Sequence, residues 1–313
     1  MRSLPSVRNL PQILSGATHD LRLDLQSRNF DFPHHLVWCA GLPKSGTTRI
    51  EQIFGELPYV DASRSLLRRR RLRELHHDHD LSPRFVRSQS SHRYTFIKTH
   101  SHYVECTVEL ALELGTGLLV TSRDLRDMMI SRYFHVLADK SHWQHNLIAG
   151  LPREEGFLKS LTALTSGQTE VPIEYYYNWI NDWGAVVKQD PRIYWVQYEI
   201  FEGDPVPAVQ GILNHLGMQF VADALNIADS IERTRLEAAQ TDLETRLRSR
   251  SRAKKSTFRK GGQGEWMDFM STGLLDAFEN RLPGPPDQVY AAVAHPNPEN
   301  RDKSRRAAGS TDG

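Results

Sequence analysis

Leu36-Val37-Trp38-Cys39-Ala40-Gly41-Leu42-Pro43-Lys44-Ser45-Gly46-Thr47-Thr48 decides the fold. Leu36 to Gly41 is a short apolar run, the signature of a buried strand. Leu42 to Gly46 is a turn carrying proline, serine and glycine. From Thr47 to Leu57 the apolar residues Ile50, Ile53, Phe54 and Leu57 recur at helical spacing. The order is therefore strand, glycine-bearing loop, helix. Backbone N–H groups of such a loop form an anion nest, and the helix N-terminus adds the positive end of its dipole. Thr47 and Thr48 add hydroxyl donors. Gly41 and Gly46 have the separation found in the nucleoside-triphosphate loop, Gly-x4-Gly-Lys-Ser/Thr. The lysine does not follow the second glycine, where Thr47 stands; it is Lys44, inside the loop. Of the later strand ends, only Tyr198-Glu199 offers an acid for a magnesium ion. An ATP or GTP enzyme is the weaker reading of this loop.

Outward from that segment, strands and helices alternate. Ser63 to His76 reads as a helix with Leu66, Leu67, Leu72 and Leu75 on its apolar side. Tyr94 to Lys98 is a second strand, ending in Thr99-His100, and Glu105 to Leu114 is a helix stopped by Gly115. Gly117 to Ser122 is a third strand. Asp124 to Leu137 follows as a helix with Asp124 as N-cap. Glu154 to Gln189 is largely helical and rich in Trp and Tyr, with Tyr176, Trp179 and Trp183 at core spacing. Arg192 to Tyr198 is a fourth strand, and Pro205 to Leu216 a helix ended by Gly217. After Asp223 the chain reads as helical and charged, then basic and loop-like to Gly264, with a last helix at Gly273 to Leu282. This pattern predicts an α/β layer fold with a mainly parallel sheet. In such sheets ligands gather beyond the carboxyl ends of the strands.

Charge narrows the function. The 313 residues carry 39 Lys and Arg against 38 Asp and Glu, a net charge of +1. That balance excludes a globally basic polyanion binder as the default. It hides two basic stretches without acids: Arg64 to Arg73, with six arginines, and Arg246 to Lys260, with eight basic residues. Concentrated charge on a neutral chain suggests a local, small anionic ligand. Arg68 to Arg71 are adjacent on a helix, so they spray around it and read as solvated surface. His76-His77-Asp78-His79 has the composition of a metal site without its spacing. Cys39 and Cys106 are too few for a disulfide framework, and both are expected as reduced thiols, with Cys39 buried. Met1 to Phe30 has no signal-peptide core, and no run approaches the roughly 20 apolar residues of a membrane span. A cytoplasmic protein is expected, with a polar, disordered tail over 297–313.

Five segments in order resemble the sulfotransferases, closest to the cytosolic type. Leu42-Pro43-Lys44-Ser45-Gly46-Thr47-Thr48 resembles their 5′-phosphosulfate loop. Ile97-Lys98-Thr99-His100 resembles the Lys-Thr-His strand end. Arg123 to Ser131, followed by Tyr133-Phe134, resembles the 3′-phosphate motif and keeps its Arg-to-Ser separation of eight residues. Tyr198-Glu199 resembles the Tyr-Glu-Asp segment. Phe258 to Trp266 resembles the C-terminal Arg-Lys-Gly-x-x-Gly-Asp-Trp motif. The resemblance implies one α/β domain, residues 1–296, with a central parallel sheet. It implies 3′-phosphoadenosine 5′-phosphosulfate (PAPS) as donor, no metal, and a small-molecule acceptor bearing a hydroxyl or amine. Lys44 and Lys98 would stabilise charge and His100 would act as general base. Ser45, Gly46, Thr47 and Thr48 would hold the 5′-phosphate. Arg123, Ser131, Arg259, Lys260 and Gly261 would hold the 3′-phosphate, and Tyr198 and Thr234 would lie near adenine. Arg49 replaces the family's Trp, and Arg235 and Leu236 replace its Ser and Phe, so Arg49 is expected to stack on the base. The family's dimer motif survives only as Met267, Ser271, Thr272 and Asp276. Two other classes stay open at this point: a P-loop kinase-like phosphotransferase, and a non-catalytic nucleotide-binding protein of the same fold.

Overall fold

The structure, a computed structural model, describes residues 33–57, 60–61, 81, 83–87, 94–167, 169–201, 205–218, 226 and 263–293. A five-stranded sheet runs in the order β2-β3-β1-β4-β5, all neighbours parallel. The strands are β1 (Leu36–Gly41), β2 (Val60–Asp61), β3 (Tyr94–Thr99), β4 (Gly117–Ser122) and β5 (Ile193–Gln197). The four long strands match the sequence reading to within a residue at most ends. The two-residue β2 has no signal of its own, since it exists only by pairing with Tyr94 and Thr95.

The helices are α1 (Thr47–Glu56), α2 (Pro83–Arg87), α3 (Glu105–Glu113), α4 (Leu125–Ala138) and α5 (His145–Ile148). They continue with α6 (Arg153–Thr162), α7 (Pro172–Gln189), α8 (Val206–His215), α9 (Glu265–Phe269), α10 (Thr272–Glu279) and α11 (Pro286–Val293). The helical middle expected from Glu154 to Gln189 is two helices, α6 and α7, split where Pro172 begins the second. The expected helix at Ser63 to His76, and those beyond Asp223, lie outside the described residues.

Strand side chains alternate between two cores, which is why these strands read as unbroken apolar runs. Leu36, Trp38 and Ala40 join Leu118 and Val120 on one face, under α4, α6 and α7. Val37 and Cys39 join Leu119, Phe96 and the Ile50, Ile53 and Phe54 row of α1 on the other. Phe54 and Phe96 stack at 4.6 Å. Cys39 is fully buried, and burial pushes its thiol up to about 12, so it is a core residue and no nucleophile.

Because every strand runs the same way, the carboxyl ends of β1, β3, β4 and β5 meet at one edge. The register fixes the meeting point: Ala40 lies beside Thr99 and Gly41 beside Thr121. From β1 the chain builds β2 and then β3 on one side and afterwards crosses to β4 on the other, so β1 marks the switch point of the sheet.

Candidate active site

The loop after β1 is held by small side chains beneath it. Gly41 has no room for a side chain: a Cβ there would meet Thr121 Oγ1 at 2.0 Å and Thr47 Cγ2 at 2.5 Å. The Ser45 hydroxyl donates to the Leu42 carbonyl at 2.7 Å, so the Thr121 hydroxyl donates to Ser45 Oγ at 2.8 Å. Ser45 N–H also donates to Leu42 O, at 3.1 Å. Both Ser45 donors are thus committed within the loop, and Ser45 shapes it. Lys44 has φ +75°, the one positive φ at a non-glycine among the described residues. That left-handed backbone costs a side-chain-bearing residue about 1–2 kcal/mol, and the packed turn around it holds the strain. Gly46, at φ +97°, is the N-cap of α1, with no side-chain cap and no acid in the first turn. The N–H groups of Arg49 and Ile50 turn back onto the Gly46 carbonyl, at 2.8 Å and 3.2 Å, which leaves those of Gly46, Thr47 and Thr48 facing the helix mouth.

On the neighbouring strand end, Lys98 Nζ lies 2.7 Å from Glu51 Oε2 and 3.2 Å from Thr48 Oγ1, bridging β3 to α1. His100 Nδ1 hydrogen-bonds to the Gly41 carbonyl. A carbonyl can only accept, so Nδ1 carries a proton, and in the neutral ring this leaves the lone pair on Nε2, the tautomer a general base requires. The backbone around this histidine is fixed by α7. Tyr175 Oη donates to the His100 carbonyl at 2.8 Å. Trp179 and Trp183 Nε1 both donate to the Ser101 carbonyl, at 2.7 Å and 3.2 Å. Trp179 and Trp183 are fully buried, as their spacing predicts.

At the end of β4, Arg123 is almost wholly buried. Its guanidinium lies 4.7 Å over the Tyr198 ring and 3.9 Å from Asp127 Oδ2. Asp124 caps α4 as expected, accepting from Arg126 N at 2.9 Å. Its own N–H donates to Glu199 Oε1 at 2.9 Å. Glu199, the one sequence candidate for a magnesium ligand, thus ties the β5 end to α4, and burial raises its pKa. Ser131 is half-buried on α4, about 10 Å along the axis from Asp124.

Tyr198 opens a short 3-10 turn, Tyr198–Phe201, and is buried under the loop between β1 and α1. A Cβ on Gly46 would lie 2.6 Å from its ring. Arg49 packs 4.9 Å over the Phe201 ring, 5.8 Å from that of Tyr198, and donates to Phe201 O at 3.3 Å. It is 9% exposed, so little of its guanidinium is presented to a base. Thr234, Arg259, Lys260 and Gly261 lie outside the described residues, as do Arg68 to Arg71 and His76 to His79. The sequence offers no role for Glu51 or Asp127, and reads Tyr175 only as part of the Tyr- and Trp-rich helical middle. Of these, Asp127 carries a visible signal, four residues after Arg123.

This is a parallel α/β fold whose β1–α1 loop carries an internal lysine and whose β3 end carries a histidine bonded to the carbonyl of Gly41. The chain belongs to the sulfotransferase family: the sulfotransferase domain model matches residues 35–282. It is a sulfotransferase enzyme, which sets aside the kinase-like reading. It is 20% identical over 278 residues to flavonol 3-sulfotransferase of Flaveria bidentis, covering 82% of this chain and 84% of that one. It is 22% identical over 190 residues to cytosolic sulfotransferase 17 of Arabidopsis thaliana, covering 58% of this chain and 52% of that one. The fold is similar to that of mouse sulfotransferase SULT7A1, solved with PAP, at a TM-score of 0.52 and 16% identity, over 90% of this chain and 93% of that one. No helix among the described residues is long and apolar enough to cross a membrane.

Proposed function

We propose that this edge binds PAPS and that its residues move the sulfuryl group to a hydroxyl or amine of a small molecule. The observation that carries this reading is the pairing of an uncapped helix N-terminus, reached by a left-handed Lys44, with His100 held in the base tautomer beside Gly41. Sulfuryl transfer, like phosphoryl transfer, needs positioning and charge stabilisation and little covalent chemistry from the protein. Gly46, Thr47 and Thr48 hold the 5′-phosphate through N–H and hydroxyl donors. Lys44 neutralises charge growing on the bridging oxygen, an effect worth roughly 10²–10³ in rate for one such donor. Lys98, aimed by Glu51 and Thr48, stabilises the sulfuryl oxygens. His100 Nε2 takes the acceptor's proton, worth roughly 10²–10⁴.

Arg123 and Ser131 meet the 3′-phosphate, joined by Arg259, Lys260 and Gly261 of the C-terminal motif. Tyr198 supports both phosphate sites from below, and Thr234 lies on the adenine side. No residue in this scheme needs a metal. His102, packed edge-on against Tyr175 at 4.4 Å, gives the acceptor side an aromatic wall. With a flavonol sulfotransferase among the relatives, phenols are the first acceptors to assay. We read residues 1–296 as one cytoplasmic domain that does not act on nucleic acid, with 297–313 as its tail. Of the dimer motif's remnants, Ser271 is used as the N-cap of α10, accepting from Leu274 N at 3.2 Å, and Met267, on α9, is exposed.

The test is thermal denaturation with adenosine 3′,5′-bisphosphate in EDTA. A hundredfold excess over Kd stabilises a folded protein by about 2.7 kcal/mol, a rise of several degrees. No rise with the bisphosphate, and a rise with magnesium ATP alone, would overturn the reading.

A further inference from the structure

Asp127 lies on the first turn of α4, and its side chain is fully buried. A buried carboxylate costs several kcal/mol unless it is matched. Here the match comes from a distant part of the chain. Oδ2 accepts from Gly264 N at 2.7 Å and Oδ1 from Trp266 N at 2.9 Å. Gly264 is the N-cap of α9, which has no side-chain cap of its own, so Asp127 satisfies donors that the start of that helix leaves over. Arg126 reinforces the same junction. Asp124 holds its guanidinium at 2.5 Å and 3.0 Å, and that guanidinium covers the Trp266 ring at 3.7 Å. A helix cap alone is supplied by a neutral Ser or Asn. The charge of Asp127 has a second use, because Arg123 Nη2 is 3.9 Å away and Arg123 is itself buried.

We propose that Asp127 is a positioning residue for the donor's 3′-phosphate: it orients Arg123 and pins Gly264 and Trp266 beside it. Arg259, Lys260 and Gly261 precede Gly264 by five residues or fewer, so the pin sets where the C-terminal motif joins the fold. The inference rests on the reading that a 3′-phosphate binds here, and it explains why Arg123, Gly264 and Trp266 meet at one buried carboxylate.

The experiment compares adenosine 3′,5′-bisphosphate with adenosine 5′-monophosphate, which lacks the 3′-phosphate, by calorimetry on wild type and Asp127→Asn. Asp127→Asn weakens the bisphosphate at least tenfold and the monophosphate less than twofold. The donor KM rises at least tenfold, with kcat falling by less. A folded Asp127→Asn that keeps the wild-type ratio of the two affinities overturns the inference, as does an equal loss of both. If the variant does not fold, amide exchange on the wild type decides. The bisphosphate slows exchange at residues 264–266 and the monophosphate does not; equal protection, or none, overturns it. Failure of the underlying reading looks different, since wild type would then not distinguish the two nucleotides at all.

Discussion

Two strand-to-helix junctions lie side by side on this sheet and handle their orphan backbone donors in opposite ways. After β1, α1 starts with no side-chain cap and no acid, and the loop before it keeps a lysine in a left-handed conformation. After β4, α4 starts with a side-chain cap. Asp124 accepts from the N–H groups of Arg126 and Asp127, and Glu199 takes the N–H of Asp124 itself. The open junction offers an anion its backbone and its dipole. At the closed junction Asp124 already takes two of those N–H groups, so any anion there is met chiefly by side chains, Arg123 first. The open junction suits the phosphate next to the reaction, where rigid backbone donors need no reorganisation. The closed one suits a phosphate that only has to be recognised.

The comparison breaks hardest at Gly46. Gly46→Ala places a Cβ 2.6 Å from the Tyr198 ring at φ +97°. We expect a stability loss of about 1–3 kcal/mol and loss of affinity for 5′-mono- and 3′,5′-bisphosphate alike, read by chemical denaturation and calorimetry. At the closed junction, Arg123→Gln removes charged hydrogen bonds worth about 1.5–3 kcal/mol. It should weaken the bisphosphate by roughly ten- to a hundredfold while leaving the monophosphate unchanged. A parallel loss of both nucleotides would show that the two junctions are not separate sites.

The smallest effect is one of pH. Burial raises the pKa of Glu199. The protonated form is therefore favoured in the folded state, and its stabilising contribution is lost as pH rises from the ordinary carboxylate range through the raised value. Glu199→Gln, which stays neutral, should gain melting temperature relative to wild type as pH rises from about 4 to 8. A flat difference across that range would place the carboxylate in a better-solvated environment than the structure shows.

The open junction was legible in the sequence because all of its chemistry is local. The apolar run Leu36 to Gly41, the two glycines and the helical spacing after Thr47 lie within one continuous stretch. Asp124 was legible as a cap for the same reason. Much of what supports the site was not. Glu51 reaches Lys98 from another element, Tyr175 reaches His100 across 75 positions, and Asp127 reaches Gly264 across 137. Such contacts depend on packing, which no local pattern encodes. The short elements β2 and α9 were missed on similar grounds: one is defined by pairing with β3, the other is started by a cap from α4. Arg49 shows the reverse case. Its guanidinium was read as a platform for adenine, and packing has turned it onto Phe201.

The central claim is that Lys44 and His100 at the open junction transfer a sulfuryl group without a metal. It is tested most directly by single-turnover transfer of labelled sulfuryl from PAPS to a panel of phenols, in EDTA, with wild type and His100→Ala. The account predicts labelled product with wild type, and a rate at least 10²-fold lower with His100→Ala while bisphosphate affinity is retained. Undiminished transfer by His100→Ala would contradict it.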